Sequence, residues 1–324
     1  MLKKGLIADI GGTNARFALC DENARVSDVN VLACGAYGNI DAAIKDYFKQ
    51  VGVDAADVKY AAVDIAGPVA NDEVSMTNCP WRFSKTALKR EMNWLSFDLV
   101  NDFIAQALAV PLLKDDEKIK IGGGQARDGF PIAVVGPGTG LGASILVPSD
   151  NGWIAVAGEG GHSTIPALTD ADERFLAVLR RMCGHVSAEK VASGGGLLNL
   201  YKAACVLNDV PAVLDEPADV SEKAVAGDAV CLEALQAMFR FLGVFAGNMA
   251  LAAGALGGVY LAGGILPRKG VLDLFKKSDF RAAFEQKGRM TAFLTPVPTY
   301  VMTSENPAFT GLADLISKKM RATA

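Results

Sequence analysis

Apolar runs alternate with short polar segments along the first third of the chain. Residues 6–19 read LIADIGGTNARFAL, which places the acid Asp9 inside one apolar run and a glycine–threonine turn before the next. Helical spacing of apolar positions follows Asn39 and Ser84, two residue types that cap helix N-termini. The pattern also predicts strands over residues 5–10, 15–20, 58–66 and 97–100. This alternation of strands and helices indicates an α/β fold.

The middle of the chain repeats the opening pattern. Residues 133–146 read AVVGPGTGLGASIL, again a glycine–threonine turn between two apolar runs. Helical sequence dominates between roughly 170 and 255, and a last helix starts at Asn306. Further strands are predicted over residues 132–136, 141–147, 259–261 and 299–303. Two halves that each open on strand, turn and strand predict an internal duplication, with a ligand in the cleft between the halves.

Composition narrows the class of protein. The chain has 324 residues, 51% hydrophobic and 21% charged, which is typical of a soluble globular protein of about two domains. The net charge is −4 and no Lys/Arg run occurs, so nucleic-acid binding is not expected. Six cysteines without a C-x-x-C pair predict neither a zinc site nor a disulfide framework, and reduced thiols indicate a cytoplasmic protein.

Two segments were weighed as targeting or membrane sequences. The N-terminal MLKKG resembles the start of a signal peptide, but Asp9 ends the apolar region after three residues. Residues 241–266 have Asn248 as their only plainly polar member, yet seven glycines interrupt them. We therefore predict a buried helix, a turn and a buried strand there, and no membrane association.

The two glycine–threonine turns are candidate phosphate sites. Alignment of Thr13 with Thr139 pairs GGT (residues 11–13) with PGT (residues 137–139). Glycines let backbone N–H groups approach an anion, and threonine adds a hydroxyl donor. The alternative is a pair of ordinary hairpin turns that require positive φ. Asp9 is placed where Mg²⁺ or its waters would arrive, unless it bonds only the N–H groups of its own turn.

A second phosphate motif overlaps the later turn. Residues 138–143 fit G-x-G-x-x-A, the dinucleotide fingerprint of NAD-dependent dehydrogenases. That fingerprint requires a helix next, because the pyrophosphate sits on the helix N-terminus. Here the β-type sequence ASILVP follows, and no acidic residue closes a βαβ unit. The dehydrogenase hypothesis is therefore disfavoured.

Several motifs occur in one consistent order from about residue 5 to 311: LIADIGGTNARFALCD, MTNCPW, LVNDF, GPGTGLG, GEGGH, GHVSAEKVASG and AGGILPR. Together they resemble the motifs of the bacterial glucokinases in the hexokinase–actin-like superfamily. The resemblance implies a two-domain fold, with a small α/β domain over residues 1–110 plus 304–324 and a larger α+β domain over 111–303. It also implies ATP with Mg²⁺ in the cleft and a homodimer. The cysteine-rich zinc loop of a related sugar-kinase branch is missing, which favours the glucokinase branch.

The resemblance also implies residue roles in ATP-dependent phosphorylation of glucose to glucose 6-phosphate. Asp102 is the expected general base on the 6-hydroxyl. The expected sugar-binding residues are Asn101, Asp102, Glu159, His162 and Glu189. The expected nucleotide-binding residues are Ala8, Asp9, Ile10, Gly11, Gly12, Thr13, Gly138, Thr139, Gly263 and Gly264, with the glycines of 194–196 near the adenosine.

Structural alternatives exist for most of these residues. Asp102 opens a helix after a strand, so it could be a helix cap, and the helix N-terminus is expected to keep it ionised. Asn101 could be a turn residue and His162 a satisfied structural histidine. Glu189 could stabilise the first turn of a helix capped by Ser187.

The remaining expectations are weaker. The glycine runs at 194–196 and 263–264 could serve tight packing alone. Thr77 and Asn78 are placed in a polar loop near the sugar pocket, and His185 is expected to be structural. A non-catalytic sugar sensor is a further alternative, although the repressors of this fold carry an N-terminal DNA-binding domain and the phosphate strand here begins by residue 5. Strictness for glucose and the identity of the phosphoryl donor stay open.

Overall fold

The computed structural model describes residues 4–67, 69–76, 79–150 and 152–323. They form two compact units, one from the described residues of Met1–Leu113 and Ser304–Ala324, the other from Lys114–Thr303. The last segment of the chain thus belongs to the same unit as the first. Thr77 and Asn78 lie outside the described residues.

Strands and helices alternate along both units. The strands are β1 (Lys4–Ile10), β2 (Asn14–Asp21), β3 (Val26–Ala33), β4 (Val58–Ile65), β5 (Glu73–Met76), β6 (Cys79–Ser84), β7 (Ser96–Asn101), β8 (Lys118–Gly122), β9 (Ile132–Pro137), β10 (Leu141–Ser149), β11 (Gly152–Gly158), β12 (Val259–Leu261) and β13 (Thr299–Met302). The helices are α1 (Ile40–Gln50), α2 (Lys85–Glu91), α3 (Asp102–Ala109), α4 (Asp170–Cys183), α5 (Gly194–Leu207), α6 (Pro217–Val225), α7 (Ala229–Ala253), α8 (Val271–Lys276), α9 (Phe280–Glu285), α10 (Thr291–Leu294) and α11 (Pro307–Ala322).

Two helix starts follow the sequence prediction. Asn39 Oδ1 accepts the N–H of Ala42 at the start of α1. Ser84 Oγ accepts the N–H of Ala87 at the start of α2. Each bond satisfies an N–H group that has no partner within its helix, so both predicted N-caps are confirmed.

The first unit is built on a five-stranded sheet in the order β3-β2-β1-β4-β7. β1 pairs antiparallel with β2 and parallel with β4, and β4 pairs parallel with β7. Successive side chains of β1 face opposite sides of the sheet. Leu6 joins the apolar cluster that includes α1, whereas Ile7 joins the cluster that includes α3 and α11. Helices thus cover both faces of the sheet, as its parallel central strands require.

The second unit repeats this arrangement. Its sheet has the order β11-β10-β9-β12-β13-β8. β9 pairs antiparallel with β10 and parallel with β12, and β12 pairs parallel with β13. β8 is an additional antiparallel strand at the edge. The other five strands match those of the first unit in order and direction, so the predicted duplication is confirmed at the level of topology.

Helix α7 packs in the core of the second unit. Length and composition alone would let it cross a membrane, but 67% of its most apolar window is buried inside the protein. It ends at Gly254, which adopts the left-handed conformation with φ of 61°. The strand β12 follows after a short turn, so the predicted helix, turn and strand are confirmed here.

The strand β3 was not predicted. It lies at the edge of the first sheet, and its apolar side chains Val29 and Val31 are exposed by 53% and 56%. Because neither face of β3 is consistently buried, its sequence lacks the apolar–polar alternation of a half-buried strand.

Candidate active site

Three aspartates lie at the carboxyl ends of neighbouring strands in the first unit. Asp9 on β1 pairs in parallel register with Asp64 on β4. Asp102 opens α3 directly after β7, the next strand of the sheet. In open α/β sheets, ligands bind outside this edge. The sheet therefore brings Asp9, the acid predicted to lie near Mg²⁺, and Asp102, the predicted base, to one edge of the first unit.

Asp9 is paired with Arg16 on β2. Arg16 Nη1 lies 3.0 Å from Asp9 Oδ2, and the two residues oppose each other in antiparallel register. The Asp9 side chain keeps 25% of its surface exposed. In the following turn, the N–H of Gly11 donates to the carbonyl oxygen of Asn14. The structure therefore does not support the alternative in which Asp9 bonds this N–H of its own turn.

Asp64 is completely buried. Neither of its carboxyl oxygens has a hydrogen-bond partner in the described part of the chain. Burial, and then the carboxyls of Asp9 and Asp102, raise the pKa of Asp64 well above the ordinary aspartate value, while Arg16 acts in the opposite direction. A buried carboxylate without donors is costly, so its surroundings favour the neutral form of Asp64.

Asn101, rather than Asp102, caps helix α3. The Oδ1 of Asn101 accepts the N–H of Phe103 at 2.9 Å, and its Nδ2 donates to the carbonyl oxygen of Gly67 at 3.3 Å. Asp102 occupies the first helical position, where its Oδ1 accepts the same N–H at 2.8 Å. The alternative role of helix cap therefore belongs to Asn101, which uses its amide for the fold.

Burial has the largest effect on the charge of Asp102. It raises the pKa of Asp102 above the ordinary value, and the charge of Asp9 adds to the rise. The N–H of Phe103 lowers this pKa, in the direction expected at a helix N-terminus, without cancelling the effect of burial. Burial and the helix N-terminus thus act on this pKa in opposite directions, and burial has the larger effect. A carboxylate with a raised pKa is a stronger general base.

The first glycine–threonine turn joins β1 to β2. The carbonyl oxygen of Thr13 accepts the N–H of Cys34 at 2.8 Å. Thr13 is exposed, and the two glycines before it, Gly11 and Gly12, are partly exposed. The φ of Gly11 lies outside the left-handed region, so the alternative explanation by positive φ is wrong there.

Ala8 and Ile10 do not line this turn. Their exposures are 0% and 1%, and both side chains belong to the apolar cluster of the first unit. Because β1 alternates between two packed faces, these side chains fill the core. A nucleotide would therefore meet only the backbone of these two residues, and the role predicted for them stays a prediction.

The second turn brings three predicted glycine segments together. The N–H of Gly194, at the start of α5, donates to the carbonyl oxygen of Gly138 at 2.8 Å. Gly263 has a φ of 90° and packs so closely that a Cβ there would lie 2.5 Å from the carbonyl oxygen of Pro137. Tight packing, the alternative role that the sequence offered for this position, therefore explains Gly263.

Packing does not explain every glycine at this turn. Around Gly138 and Gly264, no described atom lies within 4 Å of where a Cβ would stand, and neither φ is positive. Thr139 is exposed beside them. Bare backbone with open space and a neighbouring hydroxyl fits close approach of an anion.

The second turn leads into a strand. β10 begins at Leu141, directly after Gly140, so no helix N-terminus follows the G-x-G-x-x-A sequence. The dinucleotide fingerprint depends on that helix. The dehydrogenase hypothesis is therefore wrong for this motif.

The GEGGH segment forms an exposed turn after β11. The side chains of Glu159 and His162 are 86% and 62% exposed, and His162 Nε2 lies 3.9 Å from Glu159 Oε2. Such exposed groups can reach a ligand. The exposed position of His162 does not favour the alternative in which it is a buried structural histidine. His185, by contrast, has its Nε2 2.8 Å from Thr164 Oγ1, which fits the expected structural role.

Glu189 lies in a turn rather than in a helix. The predicted helix start at Ser187 is wrong, because α5 begins at Gly194 with Ser193 as its N-cap. The Oε2 of Glu189 accepts the N–H of Leu141 at 3.1 Å. A residue predicted to bind sugar thus bonds directly to the end of the predicted phosphate turn.

Two residues of the first cluster were missed from the sequence. Asp64 interrupts the apolar run VKYAAVDI in the same way that Asp9 interrupts LIADI, and that signal was available. Arg16 alternates with the buried Ala15 and Phe17, and its pairing with Asp9 appears only once the hairpin register is known.

A family model described as Glucokinase matches residues 6–319 of this chain. A glucokinase of Chromobacterium violaceum is 45% identical over 312 residues, covering 95% of this chain and 88% of the relative. The chain spans about half the length (49%) of the bifunctional curated relatives it also matches, one of them from Burkholderia pseudomallei. A glucokinase crystal structure from an Antarctic psychrotroph has a TM-score of 0.88 at 36% identity, covering 98% and 99% of the two chains. A Streptomyces griseus glucokinase solved with glucose and AMPPNP shares the fold, with a TM-score of 0.62 at 20% identity over 97% and 99% of the chains.

Proposed function

This chain belongs to the glucokinase family, and on that premise we propose that it phosphorylates glucose to glucose 6-phosphate with ATP. Phosphoryl transfer to a sugar hydroxyl needs a carboxylate for the proton, donors for the phosphates and polar groups for the sugar. The observation that carries the proposal is Asp102, a half-buried carboxyl of raised pKa at the ligand-binding edge of the first sheet.

Asp102 is the proposed general base on the 6-hydroxyl. Because burial raises its pKa, the carboxylate accepts a proton more readily than an exposed aspartate does. A loose transition state releases that proton late, so a carboxylate is adequate. Asn101 is proposed as a sugar contact through the hydrogen-bonding capacity that its cap leaves over, since an amide oxygen accepts two bonds and an amide nitrogen donates two.

The second unit supplies the remaining proposed sugar contacts. The side chains of Glu159 and His162 are exposed. They offer a carboxylate and an imidazole to the hydroxyl groups of the sugar ring. Glu189 offers a further carboxylate oxygen beside the phosphate turn. Charge-assisted bonds of this type are about twice as strong as neutral ones, which suits recognition of vicinal hydroxyls.

The nucleotide is proposed to bind at the two glycine–threonine turns. Gly11, Gly12 and Thr13 would hold phosphate oxygens in one unit, and Gly138, Thr139 and Gly264 in the other. Mg²⁺ arriving with ATP neutralises phosphate charge, and the partly exposed carboxylate of Asp9 is placed to bond its waters. Within the described residues, no cluster of three His, Cys, Asp or Glu could hold a metal ion. We further propose a cytoplasmic homodimer.

The test is an assay of the purified chain with Mg²⁺ and a panel of sugars and donors. ATP, ADP and polyphosphate are compared as donors, and glucose, mannose, fructose and galactose as acceptors. We expect ATP and glucose to give the highest kcat/KM. A glucose rate no greater than that of the other hexoses would overturn the specificity, and the absence of turnover with every pair would overturn the activity.

A further inference from the structure

Glu189 connects three glycine-bearing segments of the second unit. Its backbone N–H donates to the carbonyl oxygen of Gly161 in the GEGGH turn at 2.8 Å. Its carbonyl oxygen accepts the Ser193 hydroxyl, which caps α5, at 2.8 Å. Its side-chain Oε2 accepts the N–H of Leu141 at 3.1 Å. One residue is therefore bonded to the proposed sugar turn, to the helix that follows and to the proposed phosphate turn.

The contact between the carboxylate and the turn depends on a glycine. A Cβ at Gly140 would lie 2.6 Å from Glu189 Oε2, and the φ of Gly140 is outside the left-handed region. A side chain at position 140 would therefore meet the end of the Glu189 side chain, which would have to shift. No backbone strain contributes to that requirement.

Both polar backbone groups of Leu141 lie close to neighbouring segments. Its N–H donates to Glu189 Oε2, and its carbonyl oxygen packs so closely on Gly161 that a Cβ there would lie 2.1 Å away. The end of the phosphate turn therefore contacts both Glu189 and the sugar turn.

The two carboxylate oxygens of Glu189 differ in their hydrogen bonding. Glu189 is only partly buried, and among the described residues only Oε2 accepts a hydrogen bond. A sugar hydroxyl that donates to Oε1 fixes the orientation of the whole carboxylate, including Oε2. The position of the Leu141 N–H is then set by the same bound sugar.

Resting on the function proposed above, we propose that Glu189 is a positioning residue that makes glucose and nucleotide binding interdependent. A sugar hydroxyl binds one carboxylate oxygen, and the other holds the Gly138–Gly140 turn in the conformation that receives phosphate. Each ligand then stabilises the conformation that the other requires, and thermodynamic linkage makes the effect equal in both directions.

The test measures the affinity for Mg²⁺ with a non-hydrolysable ATP analogue, by calorimetry, with and without saturating glucose, and then the reverse. We expect each ligand to tighten the other by about 10-fold, within the range typical of coupled sites. Gly140→Ala, which pushes the carboxylate off Leu141, is expected to reduce the coupling to less than about twofold while glucose alone still binds. The control Gly35→Ala has open space and ordinary φ, so its coupling should equal that of the wild type.

Glu189→Gln provides a second variant if Gly140→Ala unfolds, as checked by thermal melting. In glutamine one of the two terminal atoms is an NH2 donor, so while the oxygen accepts the Leu141 N–H, the other terminal atom can no longer accept from the sugar hydroxyl, and coupling should fall as well. Wild-type coupling that persists in both variants would overturn the proposal. Independent binding of the two ligands in the wild type would also overturn it, yet leave the glucokinase activity intact. A chain that binds no glucose at all would instead overturn the proposed function.

Discussion

In the first unit the acidic side chains lie at the carboxyl ends of neighbouring sheet strands, whereas in the second they lie on glycine-rich turns. Asp64 is fully buried and Asp102 half-buried, and burial raises the pKa of both. Glu159 and Glu189 are exposed or partly exposed. Burial raises the pKa of a carboxyl, which suits exchange of protons, while exposure leaves a carboxyl accessible to the hydroxyl groups of a ligand. The comparison supports the proposals that Asp102 takes part in proton transfer and that Glu159 and Glu189 contact the sugar.

The largest expected effect comes from Asp102→Asn. Loss of a general base should lower turnover by about 10²–10⁴-fold, while glucose affinity measured by calorimetry stays within about threefold, because an amide still bonds a hydroxyl. The control is Asp98→Asn, on the same strand but paired with Lys319, which should keep turnover near that of the wild type. Near-normal turnover of Asp102→Asn would contradict the proposed role of Asp102 as the general base.

Exposed groups of the second unit should give a smaller effect of a different kind. Glu159→Gln weakens a charge-assisted bond of about 1.5–3 kcal/mol, so the KM for glucose should rise by about 10–100-fold. His162→Asn alters an imidazole hydrogen bond of about 0.5–1.5 kcal/mol, so the KM should rise by about 2–10-fold. Turnover at saturation should change by less than about fivefold, and melting temperatures should not change, because both side chains are exposed. Steady-state kinetics would contradict the assignment if kcat fell as far as in Asp102→Asn.

The smallest effect concerns Asp64. An acid whose folded-state pKa lies above its unfolded-state pKa destabilises the fold increasingly as pH rises above the unfolded value, until the folded pKa is reached. Asp64→Asn removes that dependence. We expect it to melt about 2–4 °C higher than the wild type at pH 7, a shift that corresponds to about 1 kcal/mol. The gap should narrow toward pH 4.

The matched control for Asp64 is another buried aspartate. Asp172 is also 0% exposed, but the guanidinium of Arg240 donates to its Oδ1 and the N–H groups of Leu168 and Thr169 to its Oδ2. Asp172→Asn should therefore lower the melting temperature at pH 7, opposite in sign to Asp64→Asn. Equal shifts in the two variants would show that donors around the carboxyl do not decide its charge.

Much of the fold was predictable because it depends on local periodicity. The caps Asn39 and Ser84, the order of strands around each turn and the end of α7 all follow from residue spacing and from glycine or polar residues at fixed positions. β3 was not predictable in this way, because an edge strand with exposed valines carries no burial pattern.

The sequence could not identify the helix cap where two nearby residues are both suited to that role. Asn101 and Asp102 are both good cap residues, and so are Ser187 and Ser193, and only the backbone geometry decides between them. The isolation of Asp64 likewise depends on which helices cover its strand. These are tertiary facts that a single sequence does not carry, whereas the acid inside an apolar run was a visible signal.

Helix α11 has a consequence for the order of events during synthesis. It packs on α3 so closely that a Cβ on Gly311 would lie 2.0 Å from the carbonyl oxygen of Ala105, and it completes the apolar cluster around Ile7. A ribosome makes the whole of Lys114–Thr303 before it makes this helix. The sheet translated first is therefore the last to acquire a finished interior, and until then its uncovered face is a natural client surface for chaperones.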